Sequence, residues 1–116
     1  MYINKIPLRF RYLTKKSKKL LLAEHKDTRG IFLIGSIVDG TYNKSSDIDL
    51  VWVKSCRLNF DKRFKVEERL NSDDSLKIQL VPFTRKQVLQ HFDQASTMAH
   101  AIQKGIVIYG KRDSFI

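Results

Sequence analysis

Two short runs decide how this chain is read: Ile31-Phe32-Leu33-Ile34-Gly35-Ser36 and Asp47-Ile48-Asp49-Leu50-Val51-Trp52-Val53, with ten residues between Ser36 and Asp47. The first is wholly apolar up to Gly35, as a strand covered on both faces requires. The second alternates, so a period of two puts Asp47, Asp49, Val51 and Val53 on one face and Ile48, Leu50 and Trp52 on the other. Between them, Val38 to Ser46 is polar and turn-rich, which predicts a short helix or a loop.

Upstream, Leu13 to about Lys26 carries Leu13, Leu20 and Leu21 at helical spacing, with Arg29-Gly30 as the exit. Downstream, a helix is predicted from about Asn59 to Leu70 on the spacing of Phe60 and Phe64, followed by a turn at Asn71-Ser72-Asp73-Asp74. Leu76 to Val81 reads as a third strand closed by Pro82. Thr84 and Gln87 have capping-box spacing for a helix through Val88 and Leu89. A further helix from about Gln94 to Lys104 ends at Gly105, and Ile106 to Tyr109 is a last strand before Gly110. Strands alternating with helices predict an α/β (α+β) fold, a small mixed sheet flanked by helices, in one domain over residues 1–116.

The 116 residues include 22 Lys+Arg against 12 Asp+Glu, a formal charge of +10, and 42% hydrophobic residues, enough for a packed interior. One cysteine, Cys56, allows no internal disulfide. No apolar run approaches the ~20 residues of a membrane span, and the basic N-terminus lacks a signal peptide's apolar stretch. A protein of a reducing cytoplasm is the simplest reading. Nine of the Lys/Arg and only two acids fall in residues 1–30, with Lys15, Lys16, Lys18 and Lys19 around Ser17. That cluster reads as the wet face of the first helix and, compatibly, as a surface for RNA, an acidic partner or a nucleotide's phosphates.

Gly35-Ser36 ends an apolar strand where a helix can begin. Glycine lets the backbone approach a phosphate, and Ser36 adds a hydroxyl donor. Asp47 and Asp49 share one face of the next strand. Two carboxylates held there repel unless a cation lies between them. Mg²⁺ is the natural candidate, being hard, oxygen-seeking and commonly shared with substrate phosphates.

At these residues the sequence resembles the nucleotidyltransferase superfamily related to DNA polymerase β, in particular its minimal members, over roughly residues 13–110. The resemblance implies that Gly35 and Ser36 hold the phosphates of a nucleoside triphosphate, ATP in the simplest case. It implies that Asp47 and Asp49 ligate Mg²⁺, and that an acceptor hydroxyl attacks the α-phosphorus with release of pyrophosphate. It also places the family's third carboxylate at Gln79, where this chain has an amide that can coordinate but cannot accept a proton. An arginine frequent just after Gly-Ser is absent from Ile37-Val38-Asp39-Gly40. Small members of this kind commonly pair with a helical HEPN-type protein in toxin–antitoxin systems and modify it.

Two functions follow from these residues. One is a Mg²⁺-dependent transferase whose acceptor site comes from a partner or a second copy. The other is a catalytically impaired binding module that recognises protein or RNA through the basic helix. His25, His91 and His100 have no ligand spacing with one another or with Cys56. Trp52 and Phe32 read as core, Tyr42 as an exposed loop residue that could stack on a base, and Glu67-Glu68 as a solvated helix face.

Overall fold

The computed structural model describes residues 5–43, 46–71 and 77–111. A four-stranded mixed sheet has the order β3-β2-β1-β4. In chain order the elements are α1 (Leu8–Glu24), β1 (Thr28–Ile34), α2 (Ser36–Asp39), β2 (Ile48–Lys54), α3 (Phe60–Leu70), β3 (Ile78–Thr84), α4 (Arg85–Asp93), α5 (Thr97–Lys104) and β4 (Ile106–Tyr109). β1 runs antiparallel to both β2 and β4, while β2 and β3 are parallel and joined through α3.

Alternation along the strands builds two cores. On one face Ile31, Leu33, Leu50, Trp52 and Leu80 pack with Phe10, Leu13 and Leu21 of α1 and Val66 and Leu70 of α3. On the other, Phe32, Ile34, Val51 and Val53 pack with Val88 of α4 and Ile102 of α5. Trp52 is fully buried, as its sequence position predicts, and its indole N–H donates to Thr28 Oγ1 at 2.9 Å. His25 meets the Trp52 ring edge-on, and burial pushes its pKa below the ordinary value, with the Lys54 ammonium adding to the effect.

Several boundaries differ from the sequence reading for identifiable reasons. α1 starts one residue after Pro7, whose fixed φ suits a helix entry. Its dry face includes Thr14 and Ser17, which are fully buried. Their hydroxyls are satisfied by donating to Phe10 O at 2.8 Å and Leu13 O at 2.7 Å. Arg29-Gly30 is no exit: both lie within β1, where the register to β2 shifts between Thr28 and Gly30. α3 packs through Val66 and Leu70, while Phe64 is exposed. α5 begins later than predicted, capped by Ser96, whose Oγ accepts from Ala99 N at 3.1 Å. Gly105 is extended (φ −62) rather than left-handed, and its use is proximity, since a Cβ there would stand 2.8 Å from Leu33 O. The capping box at Thr84 and Gln87 forms as predicted. The predicted turn after Asn71 lies outside the described residues.

Pro82 does not close β3; it sits inside it. β3 is an edge strand, and the N–H groups that point away from β2 are dealt with one by one. Asn71 Oδ1 accepts from Ile78 N at 2.6 Å, and Glu67 Oε2 accepts from Leu80 N at 2.9 Å. Pro82, next in the alternation, has no N–H, and Gln87 Oε1 accepts from Thr84 N at 2.9 Å. Glu67 is therefore a ligand of the sheet edge rather than part of a solvated face. Glu67→Ala leaves Leu80 N without its acceptor and is expected to cost about 1–2 kcal/mol, against under about 0.5 for Glu68→Ala. Urea unfolding of the two variants measures the difference, and equal effects would contradict this role for Glu67.

Candidate active site

The site assembles at the amino end of β2. Ile34, the last residue of β1, pairs with Asp49, so the Gly35-Ser36 bend follows directly beside that carboxylate. Gly35 adopts φ +86, ψ −153, a backbone region open in practice to glycine alone. A Cβ on Gly35 would lie 2.5 Å from Asp49 Oδ2, so the absence of a side chain is what lets the carboxylate close on the bend. Ser36 opens the single turn of α2, whose last residue is followed by Gly40 in a left-handed conformation (φ 76).

Asp47 precedes β2 and is exposed; Asp49 is half-buried on the face shared with Val51 and Val53. Burial raises the Asp49 pKa above the ordinary carboxylate value, and the nearby Asp47 charge raises it further. Asp49 Oδ1 is buried with no hydrogen-bond partner among the described residues. A buried carboxylate oxygen without a donor, beside a second carboxylate, is a donor set that fits a hard divalent cation. No cluster of three or more His, Cys, Asp or Glu with metal-holding geometry occurs among the described residues.

Gln79 pairs with Asp49 across the parallel β2–β3 ladder, and Ile78 and Leu80 flank it in the core of the opposite face. Paired residues in register project to the same side of a sheet, so the Gln79 amide stands beside the Asp49 carboxylate. The register therefore puts Gln79 next to Asp49 on the neighbouring strand. The three histidines are occupied elsewhere or exposed: His25 on Trp52, His91 bonded to Ser96 Oγ at 2.9 Å, and His100 on the surface. Tyr42, in the loop leading to Asp47, packs edge-on against Phe10, with ring centroids 5.3 Å apart. The sequence marked Gly35 as an approach point for phosphate, and the contact between its empty side-chain space and Asp49 is visible only once β1 and β2 are paired.

An antiparallel strand pair carrying Gly-Ser on one strand and Asp-x-Asp on the next, extended by a parallel third strand, defines a nucleotidyltransferase fold. The family model for polymerase beta nucleotidyltransferases matches residues 15–114, and the chain belongs to that family. No curated protein matches the sequence at a significant level. Among solved structures, a chain of a toxin–antitoxin complex with AMP-PNP superposes with TM-score 0.65 at 22% identity, covering 88% of this chain and 77% of that one. A chain from a tri-AMPylated Shewanella oneidensis HEPN toxin in complex with MNT antitoxin gives TM-score 0.61 at 21% identity, over 90% and 75% of the two chains. A Sulfolobus solfataricus protein assigned as a nucleotidyltransferase gives 0.59 at 16% identity, over 97% and 90%. At such identities these likenesses establish the fold.

The raised Asp49 pKa has a consequence for stability. A carboxyl that holds its proton more tightly when folded favours the fold below the unfolded value, near pH 4, and that contribution is lost as pH rises through the higher folded value. Ionised Asp49 therefore works against the fold at neutral pH in the absence of a cation. Asp49→Asn is expected to raise the melting temperature at neutral pH, with the gain shrinking in acid. Melting curves across pH check this, and an Asp49→Asn protein less stable than wild type at neutral pH would contradict it.

Proposed function

We propose that this chain is a Mg²⁺-dependent nucleotidyltransferase that passes a nucleoside monophosphate from a triphosphate, ATP in the simplest case, to a hydroxyl on a protein partner. Residues 1–116 would act as one nucleotidyltransferase-like domain. The observation that carries the reading is the apposition of the Gly35 bend and the Asp49 carboxylate, with no side chain between them. Gly35 and Ser36 would receive the β- and γ-phosphates through backbone N–H groups and the Ser36 hydroxyl. Asp47 and Asp49 would hold Mg²⁺, with the Gln79 carbonyl oxygen as a weak third ligand. When bound, the ion supplies the positive charge that lets two carboxylates and a triphosphate share one site.

The acceptor oxygen would form a bond to the α-phosphorus as the bond to pyrophosphate breaks, and the hydroxyl proton would leave to solvent, because Gln79 cannot take it. Catalysis then rests on positioning and charge neutralisation. The partner is proposed to be a HEPN-like protein, the chain acting as the antitoxin-like member of a pair. Support comes from structural neighbours belonging to toxin–antitoxin complexes, one with an AMPylated HEPN toxin. The basic α1 offers a surface for such a partner.

Gln79 favours a second reading, since an uncharged, exposed amide stands where a general base would serve this chemistry. In it the domain binds its partner, protein or RNA, with catalysis impaired. Incubation with α-labelled ATP, Mg²⁺ and a HEPN-type acceptor separates the two. Label transfer is expected with wild type, reduced about a hundredfold or more by Asp49→Ala and increased by Gln79→Asp. Transfer unaffected by Asp49→Ala would overturn the site assignment. Absence of both transfer and Mg²⁺-dependent ATP binding would overturn the transferase in favour of the binding module.

A further inference from the structure

At the far end of β2 the chain has a second concave surface of different character. Lys54 closes β2 about five residues beyond Asp49, roughly 16 Å along the strand. There a cavity of about 360 Å³ opens past the carboxyl ends of the two parallel strands, between the starts of α3 and α4. Its charged lining is Lys54, Arg57 and Arg63, and no acidic side chain among the described residues lines it. Its apolar wall is Leu58, Val81, Pro82 and Phe83.

The three cations are not equally committed. Lys54 Nζ is 3.5 Å from Asp27 Oδ2 and lies over the Trp52 ring, with its side chain almost fully buried. Arg63 Nε forms an ion pair with Glu67 Oε1 at 3.5 Å, yet this buried N–H has no hydrogen-bond partner among the described residues. Glu67 spends its other oxygen on Leu80 N. Arg57 is exposed and forms no ion pair among the described residues. Thr84 and Gln87, the capping box of α4, complete the rim, and the positive ends of α3 and α4 begin on this side of the sheet. The crevice beyond the carboxyl ends of parallel strands is also where open α/β sheets accept ligands.

We propose that this cavity is a second ligand site, separate from the aspartate pair, for a small organic phosphate of mononucleotide size. Arg57 and Arg63 receive the phosphate, and the flat body rests on the wall formed by Pro82 and Phe83. The size is at the lower end of the roughly 300–1,000 Å³ typical of small-molecule sites. A positive rim and an aromatic wall together select a phosphate ester over a bare anion or an uncharged nucleoside. The site requires no metal and owes nothing to Asp47 or Asp49.

The test is a nitrogen-15 NMR titration of the full chain in EDTA, with AMP, inorganic phosphate and adenosine as probes. AMP is expected to shift the amides of Arg57, Thr84 and Gln87, with unchanged affinity in Asp49→Asn and at least tenfold weaker affinity in Arg57→Ala. Arg57 is on the surface, and an unchanged Arg57→Ala spectrum outside the cavity shows that the variant is folded. Phosphate and adenosine are each expected to bind more weakly than AMP at the same amides. Shifts confined to Gly35 and Ser36, or Arg57→Ala affinity equal to wild type, would overturn the proposal. So would phosphate binding as tightly as AMP, or a single-stranded oligoribonucleotide binding there when AMP does not. None of these failures counts against the reading of the aspartate pair, which is tested by metal-dependent triphosphate binding and not by AMP binding in EDTA.

Discussion

The structure is organised around an electrostatic conflict that the sheet enforces. Pairing of Ile34 with Asp49 brings a carboxylate against a glycine bend, in a place half removed from water and next to a second acid. Left alone, such an arrangement weakens the fold, because an ionised group loses solvation and gains a like-charged neighbour. A bound cation would relieve that conflict, and Asp49 Oδ1 has no hydrogen-bond partner among the described residues. Substituting Gly35 would break the arrangement from the other strand, through both its backbone conformation and the space its side chain leaves open.

The remaining architecture holds that contact in place. β2 lies between β1 and β3, so Asp49 is fixed laterally from both sides, by Ile34 on one strand and Gln79 on the other. β3 lies at an edge, where strands are prone to fray or pair with other chains. Asn71, Glu67 and Gln87 accept its outward N–H groups, and Pro82 presents none. The position of Gln79 beside Asp49 therefore depends on side chains of α3 and α4 as well as on the ladder with β2. The same geometry leaves the carboxyl ends of β2 and β3 to form the basic cavity, so the two ends of one strand carry opposite charge: acids at the start of β2, cations past its end.

The sequence made legible what is local and periodic. Alternation in Asp47–Val53 assigned each side chain to its face, and both cores respect that assignment. The Thr84–Gln87 spacing located a helix start, and the Gly-Ser and Asp-x-Asp motifs located a bend and a carboxylate that the paired strands bring together. What it concealed depends on pairing. Pro82 looks like a terminator until β3 is known to be an edge strand. Glu67 is indistinguishable from Glu68 until the edge it serves is in place. Gly105 suggests a left-handed cap, whereas its value lies in passing close to Leu33. Lys54, Cys56, Arg57 and Arg63 carry no motif, and only the fold gathers them around one cavity. The lysine-rich stretch hid Ser17, which is buried because its hydroxyl can bond back to its own helix.

The most direct test of the proposed role of the aspartate pair is Mn²⁺ binding, followed by electron paramagnetic resonance, with and without AMP-PNP. The account predicts weak uptake by the protein alone and much tighter uptake with the nucleotide, both lost in Asp49→Asn. Equal AMP-PNP affinity with Mn²⁺ and with EDTA, or Mn²⁺ uptake unchanged in Asp49→Asn, would show that the two acids do not gather a cation to a triphosphate.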